Sequence, residues 1–172
     1  MNTVRLSLSA ALLVAFASAA NAQQPAAQPA AQPAAQPGAA TQQQLTPEQQ
    51  AQVARQDAEM GAAALQVMQM IDGNRAGEVW DGASATMKGA VTRDEFVRQI
   101  NIDRNRLGAP SQRAQPVVSR SQFRAGEAVP EGIYINVASP TTFASQPQPV
   151  RELVSFRLDE DRTWRVSGYS LR

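Results

Sequence analysis

The sequence predicts an α+β domain in which N-terminal helices pack on one face of a curved four-stranded antiparallel sheet. Three observations predict it. Apolar residues recur at helical spacing between residues 46 and 107, where two capping boxes start helices. From about residue 115 the pattern switches to period two, with β-branched and aromatic residues. Turn residues then divide the second half into four strand-length runs. Helices gathered before the strands cover one sheet face, which gives a two-layer domain.

The first helix starts at Thr46-Pro47-Glu48-Gln49. Thr46 caps, Pro47 suits the first helical position and Gln49 completes the capping box. Val53, Met60, Ala64, Val67, Met68 and Ile71 then form one apolar face. Asp72-Gly73 ends the helix, with Gly73 expected in the left-handed position that glycine adopts without steric cost. Met60, Met68 and Met70 stand at helical spacing, which reads as core filling rather than as a soft-metal surface. A second, short helix covers about 76–83, with Val79, Trp80 and Ala83 inward. A loop or single turn follows at 84–88. Thr92-Arg93-Asp94-Glu95 is a second capping box and opens a third helix, which buries Phe96 and Ile100, with Asp103 or Leu107 next on that side. Gly108 and Pro110 stop it.

Strand one is expected at about 115–124. Val118, Arg120, Gln122 and Arg124 share one face of it, and Val117, Ser119, Ser121 and Phe123 the other. Strand two, about 132–143, places Ile133, Ile135 and Val137 opposite Tyr134, with Pro140 marking an edge or bulge. Strand three, about 150–158, sends Val150, Val154, Phe156 and Leu158 largely to one side. Strand four, about 163–171, points Trp164 and Val166 to the core. Trp80, Phe96, Phe156 and Trp164 are therefore the expected aromatic core.

Ahead of this domain, 45–172, lie two segments of other character. Residues 1–22 read as a secretory signal peptide. Arg5 supplies the positive start, 6–20 (LSLSAALLVAFASAA) the apolar stretch, and Ala20-Asn21-Ala22 a small-residue cleavage site before Gln23. The stretch is shorter than a spanning helix, and no cysteine follows to carry a lipid, so the expectation is a periplasmic or secreted protein without a membrane anchor. Residues 23–44 repeat Gln-Pro at Pro25, Pro29, Pro33 and Pro37. Proline fixes φ and removes an amide donor, so this segment is expected to be a disordered linker, either a spacer or a passive mature N-terminus.

Composition removes several function classes. The 172 residues contain no cysteine and no histidine. Histidine triads, histidine general bases and His-containing zinc sites are thereby excluded, and soft transition metals lack ligands. No cofactor or metal is expected. Leaving out the signal peptide removes Arg5 and no acid, so the remainder is formally neutral. A neutral, exported chain does not fit a nucleic-acid partner held by bulk charge.

Three stretches carry a family resemblance. Residues 71–96 (IDGNRAGEVWDGASATMKGAVTRDEF) contain W-D-x-A-S, a lysine and then V-T-R. Residues 104–108 (RNRLG) form an R-x-x-L-G helix end. Residues 159–172 (DEDRTWRVSGYSLR) close with W-R-V-x-G-Y. In these stretches the chain resembles the bacterial family of the domain of unknown function 4019, within the cystatin-like superfold in its nuclear-transport-factor-two-like cone form. The resemblance implies a signal-bearing envelope protein and supplies no catalytic residue. In one place the chain departs from the family. A glycine is expected in the turn before Trp164, where Arg162 and Thr163 stand.

No catalytic residue follows from the sequence. The candidates for binding are Arg120 and Arg124, part of an arginine-rich region over 98–124, together with Asp81, Tyr134 and Tyr169. Guanidinium groups grip carboxylates and phosphates; a solvated strand face is the plainer account of the arginines. Asp81 or Asp103 with Tyr134 or Tyr169 is the carboxylate–phenol pairing that some cone-shaped relatives use as isomerases or dehydratases. Asp159-Glu160-Asp161 reads as a solvated turn, too short for a calcium loop. Two functions follow. The first is a non-enzymatic module that binds a protein or small-molecule partner, with a homodimer through the sheet as one form. The second is a receptor or isomerase-like enzyme using a pocket between helices and sheet. They differ in whether polar side chains converge on a common cavity.

Overall fold

The computed structural model describes residues 45–172, so the signal-peptide and linker expectations lie outside the described residues. The order is α1 (Pro47–Asp72), α2 (Ala76–Asp81), α3 (Ala85–Ala90), α4 (Arg93–Leu107), β1 (Pro110–Arg113), β2 (Val117–Phe123), β3 (Gly132–Phe143), β4 (Val150–Leu158) and β5 (Trp164–Leu171). Helices precede an antiparallel sheet, as expected of an α+β chain, but there are four of them rather than three and five strands rather than four.

Both additions trace to particular residues. Residues 84–88, expected as a loop or single turn, begin the six-residue α3. The Ser84 hydroxyl caps it by accepting from the Met87 amide at 3.2 Å, and Ser84 itself is fully buried. The Ser84 amide donates to the Val166 carbonyl at 2.9 Å and so ties the helix start to β5. Strand β1 begins with a proline and is only four residues long, too short for a periodic signal. It pairs with the far end of β3 (Gln112↔Thr142, Arg113↔Thr141) around an irregularity after Pro110. Strand β3 is long enough to pair β2 along its first half (Val117↔Ala138 to Phe123↔Gly132) and β1 along its second. The sheet then runs β3–β4–β5.

Capping chemistry sets the long helices. The reciprocal boxes Thr46/Gln49 and Thr92/Glu95 both form. At the end of α1 the left-handed residue is Asn74 (φ 58°), while Gly73 stays at φ −80°. Asparagine tolerates that conformation better than most side chains, so the left-handed residue falls one position later than expected, while the helix itself ends at Asp72 with Gly73 as its cap. In the β4–β5 turn it is Arg162 that adopts φ 63°, in the turn where the family pattern has glycine.

The core lies between α1, α2 and α4 and one sheet face. Met60, Ala64, Val67, Met68 and Ile71 of α1 meet Ile135 and Val137 of β3, Val154 and Phe156 of β4 and Val166 of β5. Each such side chain removed from water contributes about 1.5–3 kcal/mol. Phe96 and Phe156 are buried within this cluster, whereas Trp80 and Trp164 pack against it half-buried. The Trp80 ring N–H donates to the Val91 carbonyl at 3.0 Å, and the Lys88 ammonium lies 5.3 Å from its ring centre. The first half of α1 is different: its first buried residue is Met60, thirteen positions after Pro47.

Candidate functional site

Period two along β4 places Glu152 on the same side as Val154 and Phe156, facing the helices. Its residue is completely buried. Five other elements converge on it. Thr141 of β3 and Tyr169 of β5 reach it diagonally across the ladders, since their direct register partners are Val150 and Val154. Arg113 ends β1, Arg104 lies in the last turn of α4, and Asp72 closes α1.

Both carboxylate oxygens of Glu152 are filled. Glu152 Oε2 accepts from Thr141 Oγ1 and from Arg113 Nε, both at 2.8 Å. Oε1 accepts from the Tyr169 hydroxyl at 2.7 Å and from Nη2 of Arg104 and of Arg113, each at 3.3 Å. Asp72 bridges the same two arginines. It takes 2.8 and 2.9 Å contacts from Arg113 and a further ion pair from Arg104. Two carboxylates and two guanidiniums cancel in charge. The rest of the Arg104 guanidinium lies over the Phe143 ring, 5.1 Å from its centre, and its Nε and Nη1 have no hydrogen-bond partner among the described residues.

Electrostatics follow from this packing. Burial opposes the charge on Glu152, but hydrogen bonds from Arg113 and Tyr169 outweigh it and hold the carboxyl below its ordinary range. Burial, with the Glu152 charge beside it, pushes the Tyr169 phenol far above its usual value. Burial lowers Arg113, yet its bonds to Glu152 and Asp72 raise it further still. A general base needs an open lone pair near its reacting proton. Both Glu152 oxygens are filled, and the phenol beside it is spent on one of them. This constellation fastens six elements together and has no group left to move a proton.

The residues proposed from the sequence do not meet in one place. Tyr169 alone joins the cluster. Asp81 lies on the surface, paired with Arg93 at 3.0 Å. Asp103 accepts from Gln99 at 3.1 Å and Arg106 at 3.4 Å on α4. Tyr134 faces away from the helices, edge-on to Phe123 with ring centres 5.5 Å apart, and its hydroxyl donates to the Pro130 carbonyl at 2.8 Å. Arg120 reaches α1, bonding Gln56 at 2.9 Å and Asp57 at 2.7 Å. Arg124 is exposed just past the end of β2. The residue that sequence reasoning missed is Glu152. The signal was present, because a charged residue at its phase in β4 must face the core.

An open groove of about 400 Å³ lies beside the cluster. Residues 57–68 of α1 form one wall, the β1–β2 connection from Arg113 to Pro116 the other, and Val137 and Ser139 of β3 the floor. Among the described residues, no group of three or more His, Cys, Asp or Glu stands close enough to hold a metal ion, and no helix is long and apolar enough to cross a membrane.

Helices on one face of a five-stranded antiparallel sheet, with a buried polar lock whose carboxylate is filled and an open groove, define an α+β domain built around a charge cluster. Residues 63–169 match the family described as protein of unknown function (DUF4019), and the chain belongs to that family. No curated protein and no solved structure matches the chain.

Proposed function

We propose that this is an exported envelope protein of the cystatin-like cone type that acts by binding, without catalysing a reaction. One observation carries the reading. Where Glu152, Tyr169, Arg104 and Arg113 converge, both carboxylate oxygens are filled by hydrogen bonds, while a largely apolar groove next to them stays open. An isomerase-like role for a carboxylate–phenol pair requires an unfilled carboxylate oxygen, which Glu152 does not offer. Export rests on the signal-like residues 1–22. The test is to incubate the purified chain with an extract of the bacterial envelope and to follow small molecules by mass spectrometry. Retention of a molecule in amounts up to that of the protein is expected. Conversion of any molecule in amounts well beyond that of the protein would overturn the reading.

A further inference from the structure

The geometry points to the α1–β3 groove as a binding site for an uncharged, largely apolar small molecule bearing one hydroxyl or carbonyl group, which Ser139 recognises. This inference rests on the binding role proposed above and gives it a place and a ligand class.

The volume of about 400 Å³ falls at the lower end of small-molecule sites. Its walls are largely apolar. Ala62, Leu65 and Pro116 border it, and Leu65 is 44% exposed. Met68 and Val137, which also line the groove, are buried.

On the floor the polar feature is the Ser139 hydroxyl, while the Gln115 amide stands on the exposed rim. Ser139 is only 4% exposed and stands directly opposite Glu152 in the β3–β4 ladder. Its Oγ forms no hydrogen bond among the described residues, because the oxygens of Glu152 are filled by Thr141, Tyr169 and the arginines. Two positions along the same strand face, Thr141 has taken that carboxylate instead. The Oγ atom itself is not enclosed by protein and opens to the groove that Ser139 lines. A ligand hydroxyl or carbonyl in the groove can take the place of water on it.

Charge selects the rest. The two charged residues on the rim are both engaged elsewhere, Asp57 with Arg120 at 2.7 Å and Arg113 with Glu152 and Asp72 at 2.8 Å. A charged ligand would find no uncompensated partner and would give up its hydration, whereas a neutral one loses little.

The experiment titrates the isotopically labelled full chain with 2-naphthol, naphthalene and naphthalene-2-sulfonate, followed by amide and methyl NMR. Expected are 2-naphthol shifts centred on Ala62, Leu65, Met68 and Ser139, with weaker binding of naphthalene and weakest of the sulfonate. Ser139→Ala should weaken 2-naphthol roughly five- to tenfold, the loss of one hydrogen bond, and leave naphthalene unchanged. Ala62→Trp, at an exposed position, should abolish both while preserving the rest of the spectrum. Shifts centred elsewhere, no shifts at the solubility limit, or equal 2-naphthol affinity in Ser139→Ala would overturn the site. Retention of another molecule in the extract experiment would then still uphold the binding role, and turnover there would end that role whatever the groove does.

Discussion

Tyr169 on β5 donates a 2.7 Å hydrogen bond to Glu152 on β4, and the two stand diagonally rather than directly opposite in the ladder. The diagonal leaves room for Arg104 and Arg113 to reach the same carboxylate from α4 and β1. Removing the acid therefore strands two cations and a phenol at once. Glu152→Ala is expected to cost about 3–5 kcal/mol, the penalty for breaking a buried ion network from one side. Tyr169→Phe should cost about 0.5–1.5 kcal/mol, one hydrogen bond. Urea unfolding at neutral pH measures both, and a Glu152→Ala loss under 1 kcal/mol would refute the lock.

Stability should fall at both ends of the pH scale. The Glu152 carboxyl is held below the 4.5 of an unfolded chain by hydrogen bonds that outweigh its burial. A depressed acid contributes in full above that unfolded value and loses its contribution as pH falls through the folded one. The Tyr169 phenol is raised above 10.0 by burial and by the neighbouring carboxylate. Its contribution is complete below pH 10 and disappears as pH climbs through the folded value. The urea midpoint should thus be level between about pH 6 and 9 and drop on either side. Glu152→Gln should flatten the acid limb, and an unchanged acid limb in that variant would assign the slope to other carboxylates.

The two capping boxes should differ in consequence. Thr92 starts α4, which buries Phe96, Ile100 and Leu107. Thr92→Ala is expected to cost about 1 kcal/mol of global stability. Thr46 starts a half-helix with no buried residue before Met60. Thr46→Ala should lower amide protection over residues 47–59 and leave the unfolding midpoint nearly unchanged. Hydrogen exchange with urea melts separates the two effects, and equal global losses would contradict the separation.

Gly108 ends α4 with φ 77°, and an added Cβ would stand 2.9 Å from Ser145 Oγ and 3.3 Å from Ala144 Cβ. Both the dihedral and the contact oppose a side chain. Gly108→Ala should destabilise by about 1–3 kcal/mol. The contrasting site is Gly89, where an added Cβ meets nothing within 4 Å. Gly89→Ala, inside α3, should be neutral or stabilising by up to about 1 kcal/mol. Thermal melts of the two variants should move in opposite directions or, at the least, differ by several degrees.

Much of the fold could be read in advance because its signals are local. Thr46-Pro47-Glu48-Gln49 and Thr92-Arg93-Asp94-Glu95 satisfy their own helix starts within four residues, and β3 alternates long enough for its limits to be read as Gly132–Phe143. The pieces that escaped depend on distant partners. Pro110–Arg113 becomes a strand only because the end of β3 lies beside it. Ser84 begins a helix where a buried hydroxyl and a bond to Val166 hold it. Glu152 is hard to single out in the sequence because Val150, Val154 and Phe156 already make that strand face read as hydrophobic, with the acid in phase with them. Tyr169 was named without its partner, and only the fold brings in the arginines from residues 104 and 113.

The half of α1 that precedes Met60 has a mechanical consequence. Thirteen residues at a rise of 1.5 Å carry Pro47 roughly 20 Å beyond the first buried side chain. A pull applied at Leu45 meets a boom clipped to the sheet where Arg120 holds Gln56 and Asp57. Under load those turns would extend before force reaches the packed part of the helix. The domain would therefore feel tension as a soft spring followed by a stiff stop, with Arg120 setting where the compliance ends.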